Sequence, residues 1–153
     1  MKKLVALALS LVLAAGVFTG CSTSDIQSAT LTDGTYRAEF AEFDDYGWKD
    51  YVEVTITDGR LYEVVFDSVN EDNTKLKSED ESYKSDMEAI VGTYPAKYSK
   101  DLINQFLQSG KITAVDIVAG ATESTGNFKT LVIAAMQSAT DGNEEVKVIE
   151  NLD

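Results

Sequence analysis

A cluster of small and hydroxyl-bearing residues late in the chain has the residue types that a phosphate site needs. The segment reads DIVAGATESTGNF and spans residues 116–128. The apolar run at 112–118 predicts a short strand, and the apolar spacing over 128–140 predicts an amphipathic helix. Residues 120–125 would then form the turn at the helix N-terminus. Free amide N–H groups and the positive end of the helix dipole favour a phosphate there.

Each residue of this turn has a possible role toward a phosphate-bearing ligand. Gly120 and Ala121 keep side chains away, so that a bulky ligand or a modifying enzyme can approach the backbone. Thr122 presents a hydroxyl that can be esterified. Ser124 and Thr125 can cap the helix or donate to phosphate oxygens. The same residue types also suit a plain capped connector, so composition alone leaves both interpretations open.

The composition excludes several kinds of chemistry. The sequence has no histidine and a single cysteine, Cys21. A Ser-His-Asp triad, a histidine-ligated zinc or haem and an iron–sulfur cluster are therefore excluded, and any redox chemistry must come from an organic cofactor. The acidic segment FDDYGWKD lacks the 12-residue calcium-loop pattern, so we expect no metal site. A net charge of −13 repels nucleic acid, so we expect no nucleic-acid partner.

The first 21 residues resemble the export signal of bacterial lipoproteins. A basic start, MKK, precedes the apolar run LVALALSLVLAAGVF, which is shorter than the roughly 20 residues of a membrane span. The following FTGC resembles the lipobox, whose cysteine is acylated and becomes the new N-terminus. The resemblance implies a cleaved leader at 1–20, a lipid on Cys21, and a place on the extracytoplasmic face of the cell membrane. The remaining chain would carry 11 basic and 26 acidic residues, a net charge of −15.

Beyond the leader, the pattern predicts one α+β domain at 33–142 with the order β-β-β-α-α-β-α. Polar residues at 21–32 read as a flexible tether. Period-two alternation predicts strands at 51–57 and 61–69, and Asp58-Gly59 between them indicates a hairpin. A third strand is predicted within TYRAEFAEF, which begins at Thr35.

Helical spacing of apolar residues predicts two helices between the strands and the hydroxyl cluster. They lie within 83–94 and 96–111, the second with Ser99 as N-cap and Gly110 as C-cap. The charged segment 70–82 is predicted to be a solvated loop. The acidic tail 143–153 either adds a short strand or hangs loose.

The segment DIVAGAT also resembles the flavinylation motif of FMN-binding domains. The motif of that family is an Asp, two loosely defined residues, then Ser or Thr, Gly or Ser, Ala, and Thr. The last Thr carries FMN through a phosphoester made by a flavin transferase. In this chain the acidic element is Asp116, the small pair is Gly120-Ala121 and the acceptor is Thr122, whereas Ala119 replaces the usual Ser or Thr.

The likeness continues through VEVTITDGRLYEVVFDSVNED, YPAKYSKDLI and GATESTGNFKTLVIAAMQSA. These segments resemble FMN-binding lipoproteins of Gram-positive bacteria and the peripheral flavin subunits of ion-pumping NADH and ferredoxin oxidoreductases. The resemblance implies a covalent FMN and an electron carrier rather than an enzyme. Its electrons would come from a quinone-linked NADH dehydrogenase and leave to iron, other soluble acceptors or a partner reductase.

Two other functions stay open from the sequence. A cofactor-free lipoprotein that binds a solute or a protein would suit the acidic, tyrosine-containing surface, and the cleaved leader could serve as a signalling peptide. The aromatic residues Tyr46, Trp48 and Tyr51 either flank a flavin ring or cover a sheet edge.

Overall fold

The computed structural model describes residues 30–151. Cys21, the predicted leader and most of the predicted tether lie outside the described residues. Four strands and three helices make up the described part, which confirms the predicted α+β class. None of its helices is both long and apolar enough to cross a membrane. The elements are β1 Gly34–Phe40, β2 Trp48–Thr57, β3 Arg60–Asn70, α1 Glu81–Val91, α2 Pro95–Ser109, α3 Thr122–Asp141 and β4 Lys147–Ile149.

The strands form one mixed sheet in the order β3-β2-β1-β4. β2 pairs antiparallel with β1 and with β3, whereas β4 pairs parallel with β1. The predicted hairpin between β2 and β3 is confirmed. Asp58 and Gly59 have φ angles of 53° and 68°, the positive values that a two-residue hairpin turn of type I′ requires.

The core lies between one face of the sheet and two of the helices. α2 packs against β3, and α3 crosses β1 and β2 on the same face. Phe128 of α3 is fully buried, with its ring centroid 5.2 Å from that of Phe66 and 6.3 Å from that of Phe106. The helix that begins at the hydroxyl cluster is therefore anchored to the sheet by its apolar face, and its N-terminus is held in a fixed place.

The strand predicted at 112–118 is wrong. Residues Ile112–Ala114 form a single 3-10 turn, followed by extended chain that pairs with no strand of the described part. Ile112 and Val115 are both buried because a spacing of three residues places them on one side of this turn. The sheet position beside β1 is instead filled by β4, from the acidic tail.

Three further predictions need correction. α3 begins at Thr122, six residues earlier than predicted. α2 begins at Pro95 with Tyr94 as its N-cap residue, so Ser99 lies buried inside the helix and is not a cap. Proline suits the first helical position because its missing N–H has no partner there in any case. The predicted C-cap Gly110 is confirmed, in the left-handed region with φ 64°.

The charged segment 70–82 is more ordered than a solvated loop. A 3-10 turn at Lys77–Glu79 contains a buried lysine, Lys77. Asp80 then caps α1, because its carboxylate accepts a hydrogen bond of 2.9 Å from the backbone N–H of Tyr83. This segment thereby brings a cation and a helix to the end of the sheet where β2 begins.

Candidate functional site

An open cleft of about 510 Å³ lies at the end of the sheet where β1 ends and β2 begins. The first two turns of α3 and the residues just before them form one side. The other side comes from the β1–β2 loop, the 3-10 turn at Lys77–Glu79 and α1. The residues that line it are Phe40, Glu42, Asp44, Tyr46, Trp48, Asp50, Lys77, Tyr83, Met87, Gly120, Ala121, Thr122, Glu123, Ser124, Gly126, Asn127, Thr130 and Asn151.

The N-terminus of α3 opens into this cleft. Thr122 is the first residue of the 20-residue helix, and its side chain is exposed. The backbone N–H groups of Thr122, Glu123 and Ser124 have no hydrogen-bond partner within residues 30–151, and no side chain caps them. The Thr122 hydroxyl makes no hydrogen bond there either. The helix end therefore presents free donors, the positive end of the dipole and a free hydroxyl at one point.

Gly120 holds the segment before the helix in a shape that only glycine permits. Its φ is 79°, and a Cβ added to it would lie 2.8 Å from Val91 Cβ and 3.0 Å from Val91 O. The backbone before Thr122 thus packs directly against the end of α1. Glycine is required for its positive φ and for this close approach.

Thr125, which the sequence predicts to cap the helix or to donate to phosphate oxygens, makes hydrogen bonds inside the protein. Its side chain is buried and does not reach the cleft. The hydroxyl donates to Ala121 O at 2.7 Å and accepts from the Val118 N–H at 3.2 Å. It therefore ties the segment before the helix to the first turn and fixes where Thr122 lies.

The opposite side of the cleft carries a buried cation among aromatic rings. Lys77 Nζ lies 4.7 Å from the ring centroid of Tyr83 and 5.9 Å from that of Trp48. It is 3.3 Å from Asp44 Oδ2. The other oxygen of Asp44 accepts from the backbone N–H groups of Tyr46 and Trp48, at 2.9 and 2.8 Å. The aromatic loop is therefore held in position by one carboxylate.

A hydrogen-bonded network forms the base of the cleft. The Asp50 carboxylate accepts from Ser68 Oγ at 2.5 Å and from Asn127 Nδ2 at 2.8 Å, which links β2, β3 and α3. Tyr98 lies buried beneath it, and burial raises the pKa of its phenol to about 12, although Ser124 and Lys77 oppose that shift. Tyr98 therefore stays a neutral hydrogen-bonding group at physiological pH.

The structure brings four of the six predicted cofactor-binding residues to the cleft. Gly120, Ala121, Thr122 and Ser124 line it. Thr125 is buried inside, as described above. Asp116 is exposed but is not part of the cleft lining, and its backbone N–H donates to Gln105 Oε1 at 2.7 Å.

The three aromatic residues at the start of β2 and just before it do not all reach the cleft. Tyr46 and Trp48 line the cleft, whereas Tyr51 lies outside it. The Tyr51 ring packs against the Arg37 guanidinium, whose Cζ lies 3.8 Å from the ring centroid. Within the described range, no group of three or more His, Cys, Asp or Glu side chains could hold a metal ion.

Sequence reasoning missed several cleft residues, and three of them had a detectable signal. Glu123, Asn127 and Thr130 recur at intervals of four and three, which places a polar stripe on one face of α3. That stripe faces the cleft. Lys77 had no such signal, because it lies in a charged run that resembles a solvated surface. Asn151 belongs to the tail. Its Oδ1 accepts a hydrogen bond of 2.9 Å from the backbone N–H of Glu42 in the β1–β2 loop, which holds it at the cleft.

Comparison with known proteins gives one curated relative and two solved structures. No family model matches the chain. It is 39% identical over 117 residues to the "15 kDa lipoprotein" of Treponema pallidum, which covers 76% of this chain and 82% of the relative. The crystal structure of the CPE2226 protein of Clostridium perfringens aligns with a TM-score of 0.74 and 29% identity, over 80% of this chain and 99% of that one. A solution structure from Clostridium thermocellum has a TM-score of 0.45 and 22% identity, over 75% and 94% of the two chains.

Proposed function

The chain belongs to the family of the 15 kDa lipoprotein of Treponema pallidum, and we propose that it is a membrane-anchored lipoprotein that carries FMN on Thr122. It acts as an electron carrier rather than an enzyme. The lipid is attached to Cys21 and holds the domain on the extracytoplasmic face of the cell membrane. With more than one acyl chain, at about 0.8 kcal/mol per buried methylene, the anchor is stable.

The position of Thr122 carries the proposal. Its exposed hydroxyl stands at the first position of a long helix, beside unpartnered backbone N–H groups and at the edge of a cleft. A phosphate esterified to this hydroxyl would lie at the helix N-terminus, where donors and dipole stabilise its negative charge. The motif that resembles the flavinylation sequence ends at this same residue.

The residues of the cleft fit a flavin. A volume of about 510 Å³ is within the range of roughly 300–1,000 Å³ for small-molecule sites. Tyr46, Trp48 and Tyr83 form an aromatic wall in the cleft lining, and a planar ring can stack on side chains of this kind. Gly120 and Ala121 bring the backbone just before Thr122 to the cleft, since both line it.

Each part of the chain has a role toward the bound group, which supplies one- and two-electron transfer. The first turn of α3 would hold the phosphate, and the aromatic wall of Tyr46, Trp48 and Tyr83 would orient the ring. The covalent bond keeps the cofactor on a protein that faces unlimited dilution, because a tether makes rebinding intramolecular, at about millimolar effective concentration. The cleft is open, so that a redox partner can reach the ring without entering a deep pocket.

The partners follow from this role. A flavin transferase would esterify Thr122 from a dinucleotide donor that contains FMN. The Thr122 oxygen would form the new bond to the FMN phosphorus as the diphosphate bond breaks and the second nucleotide leaves, so the protein would gain the mass of FMN minus one water. A quinone-linked NADH dehydrogenase supplies electrons, and iron, other soluble acceptors or a partner reductase receive them.

Flavin fluorescence in a denaturing gel tests the proposal. The protein is expressed with a flavin transferase, beside Thr122→Val and the matched control Thr113→Val, which alters an exposed threonine outside the cleft. We expect a fluorescent band for the wild type and the control, and none for Thr122→Val. A dark wild-type band, with a transferase that labels a known substrate, would instead favour the cofactor-free binding lipoprotein.

A further inference from the structure

Lys77 is a buried lysine at the edge of the cleft, and the local backbone structure does not require its positive charge. Only 7% of the residue is exposed. Lysine is rarely buried to this extent unless its charge is fully paired. This lysine sits in a three-residue 3-10 turn that a neutral side chain could form equally well, so its charge calls for another explanation.

The pairing of the Lys77 ammonium is incomplete. An ammonium has three N–H donors, and the one hydrogen bond found for Nζ within residues 30–151 is the 3.3 Å contact with Asp44. The remaining neighbours are the ring faces of Tyr83 and Trp48. Donor capacity is therefore left over on a side that adjoins the cleft.

The charges around the cleft make this lysine distinctive. It is the one basic residue in the cleft lining, which also contains Glu42, Asp44, Asp50 and Glu123. Burial by itself would lower the pKa of Lys77, but the nearby phenols of Tyr98 and Tyr83 and the carboxylates of Asp44 and Asp50 hold it above its usual value. A single protonated ammonium thus stands beside the aromatic wall of an otherwise acidic cleft.

We propose that Lys77 orients the flavin ring in the cleft and stabilises its reduced, negatively charged form. This inference rests on the proposed function. A reduced quinone gives two electrons and one proton to the ring, releases its second proton to solvent and becomes the quinone. The ring gains one net negative charge, which a nearby ammonium stabilises and nearby carboxylates disfavour. Lys77 and Asp44 therefore set the midpoint potential in opposite directions.

Midpoint potentials of the flavinylated protein test this assignment. Dithionite titrations against a reference dye compare the wild type with Lys77→Met, Asp44→Asn and the control Lys100→Met, an exposed lysine outside the cleft. Lys77→Met should weaken stabilisation of the reduced form at least tenfold, which lowers the potential by about 30 mV for a two-electron couple. Asp44→Asn should raise the potential, because it keeps the oxygen that accepts from the loop but removes the charge beside Lys77. Lys100→Met should leave it unchanged.

The outcomes separate this inference from the function on which it rests. A wild-type protein without attached flavin defeats the proposed function, and the inference falls with it. If flavin is attached but the wild type and Lys77→Met have equal midpoint potentials, the role of Lys77 is wrong, whereas the proposed function stands. If Lys77→Met does not fold, Asp44→Asn decides the matter, because an unchanged or lowered potential in that variant contradicts the assignment.

Discussion

Among the backbone positions of the site, Gly120 should be the one at which a substitution costs the most stability, and Gly120→Ala tests this. Alanine at Gly120 must adopt a φ of 79°, and its Cβ would lie 2.8 Å from Val91 Cβ and 3.0 Å from Val91 O. A left-handed backbone costs an L-residue about 1–2 kcal/mol. Overpacking against a neighbour costs about 1–3 kcal/mol more. The free energy of unfolding should therefore fall by about 2–5 kcal/mol.

Substitutions at two other glycines distinguish the cost of the positive φ from the cost of the steric overlap. Gly92 has φ 74° but nothing within 4 Å of an added Cβ, so Gly92→Ala should show the backbone cost alone, about 1–2 kcal/mol. Gly126 lies inside α3 with no atom within 4 Å of an added Cβ. Gly126→Ala should raise the free energy of unfolding by up to about 1 kcal/mol, because alanine has the higher helix propensity.

Urea unfolding followed by tryptophan fluorescence measures all three changes. Trp48 is the single tryptophan of the sequence and is 8% exposed, so its emission reports the folded cleft. With a slope of about 1.5 kcal/mol per molar urea, Gly120→Ala should lower the midpoint by about 1–3 M. A Gly120→Ala variant that loses no more stability than Gly92→Ala would refute the close packing of this segment against α1.

Three further changes test the helix cap, the buried hydroxyl and the anchor. Asp80→Ala should cost about 1 kcal/mol of unfolding free energy at neutral pH in urea titrations, because it removes the cap of α1. The pKa of Asp80 is held low by the hydrogen bond from Lys75 and by backbone N–H groups. The ionised cap therefore contributes its full stabilisation above the pKa that Asp80 has in the unfolded chain. The stability lost in Asp80→Ala should become smaller as the pH falls through the lowered pKa of Asp80 in the folded protein. Thr125→Val should cost about 1–3 kcal/mol, because it leaves the Val118 N–H unpaired. Cys21→Ser should move the protein from the membrane fraction to the soluble fraction in cell fractionation.

Each of these changes has its own control. Asp80→Asn should keep most of the stability, since asparagine also caps helices well; equal losses for Ala and Asn would contradict capping. Thr125→Ser keeps the hydroxyl and should be milder than Thr125→Val, and the reverse order would contradict the role of the hydrogen bonds. Membrane retention of Cys21→Ser would contradict lipid anchoring at that residue.

The parts of the fold that sequence predicted well are those fixed by local pattern. Alternation in β2 and β3 and the Asp58-Gly59 turn determine the hairpin with no distant contact. The apolar face of α3 was equally clear. Its predicted start was too late because residues 122–127 contain no apolar side chain, and the buried residue among them, Thr125, is polar.

Distant pairing explains the errors. The run at 112–118 reads as a strand, but a short apolar run is compatible with other structures. The place beside β1 is taken by β4, which begins at Lys147 and could not be foreseen from the run itself. The burial of Lys77 likewise depends on contacts outside its own turn, with Asp44 and Trp48 about 30 residues earlier in the chain and with Tyr83 of α1.

The intact mass of the protein after expression with a flavin transferase tests the central claim most directly. We expect the wild type to gain the mass of FMN minus one water, and fragmentation of its peptides to place that mass on Thr122. Thr122→Val should show no gain. An unmodified wild type, or the same added mass on Thr122→Val, would contradict covalent FMN at the N-terminus of α3.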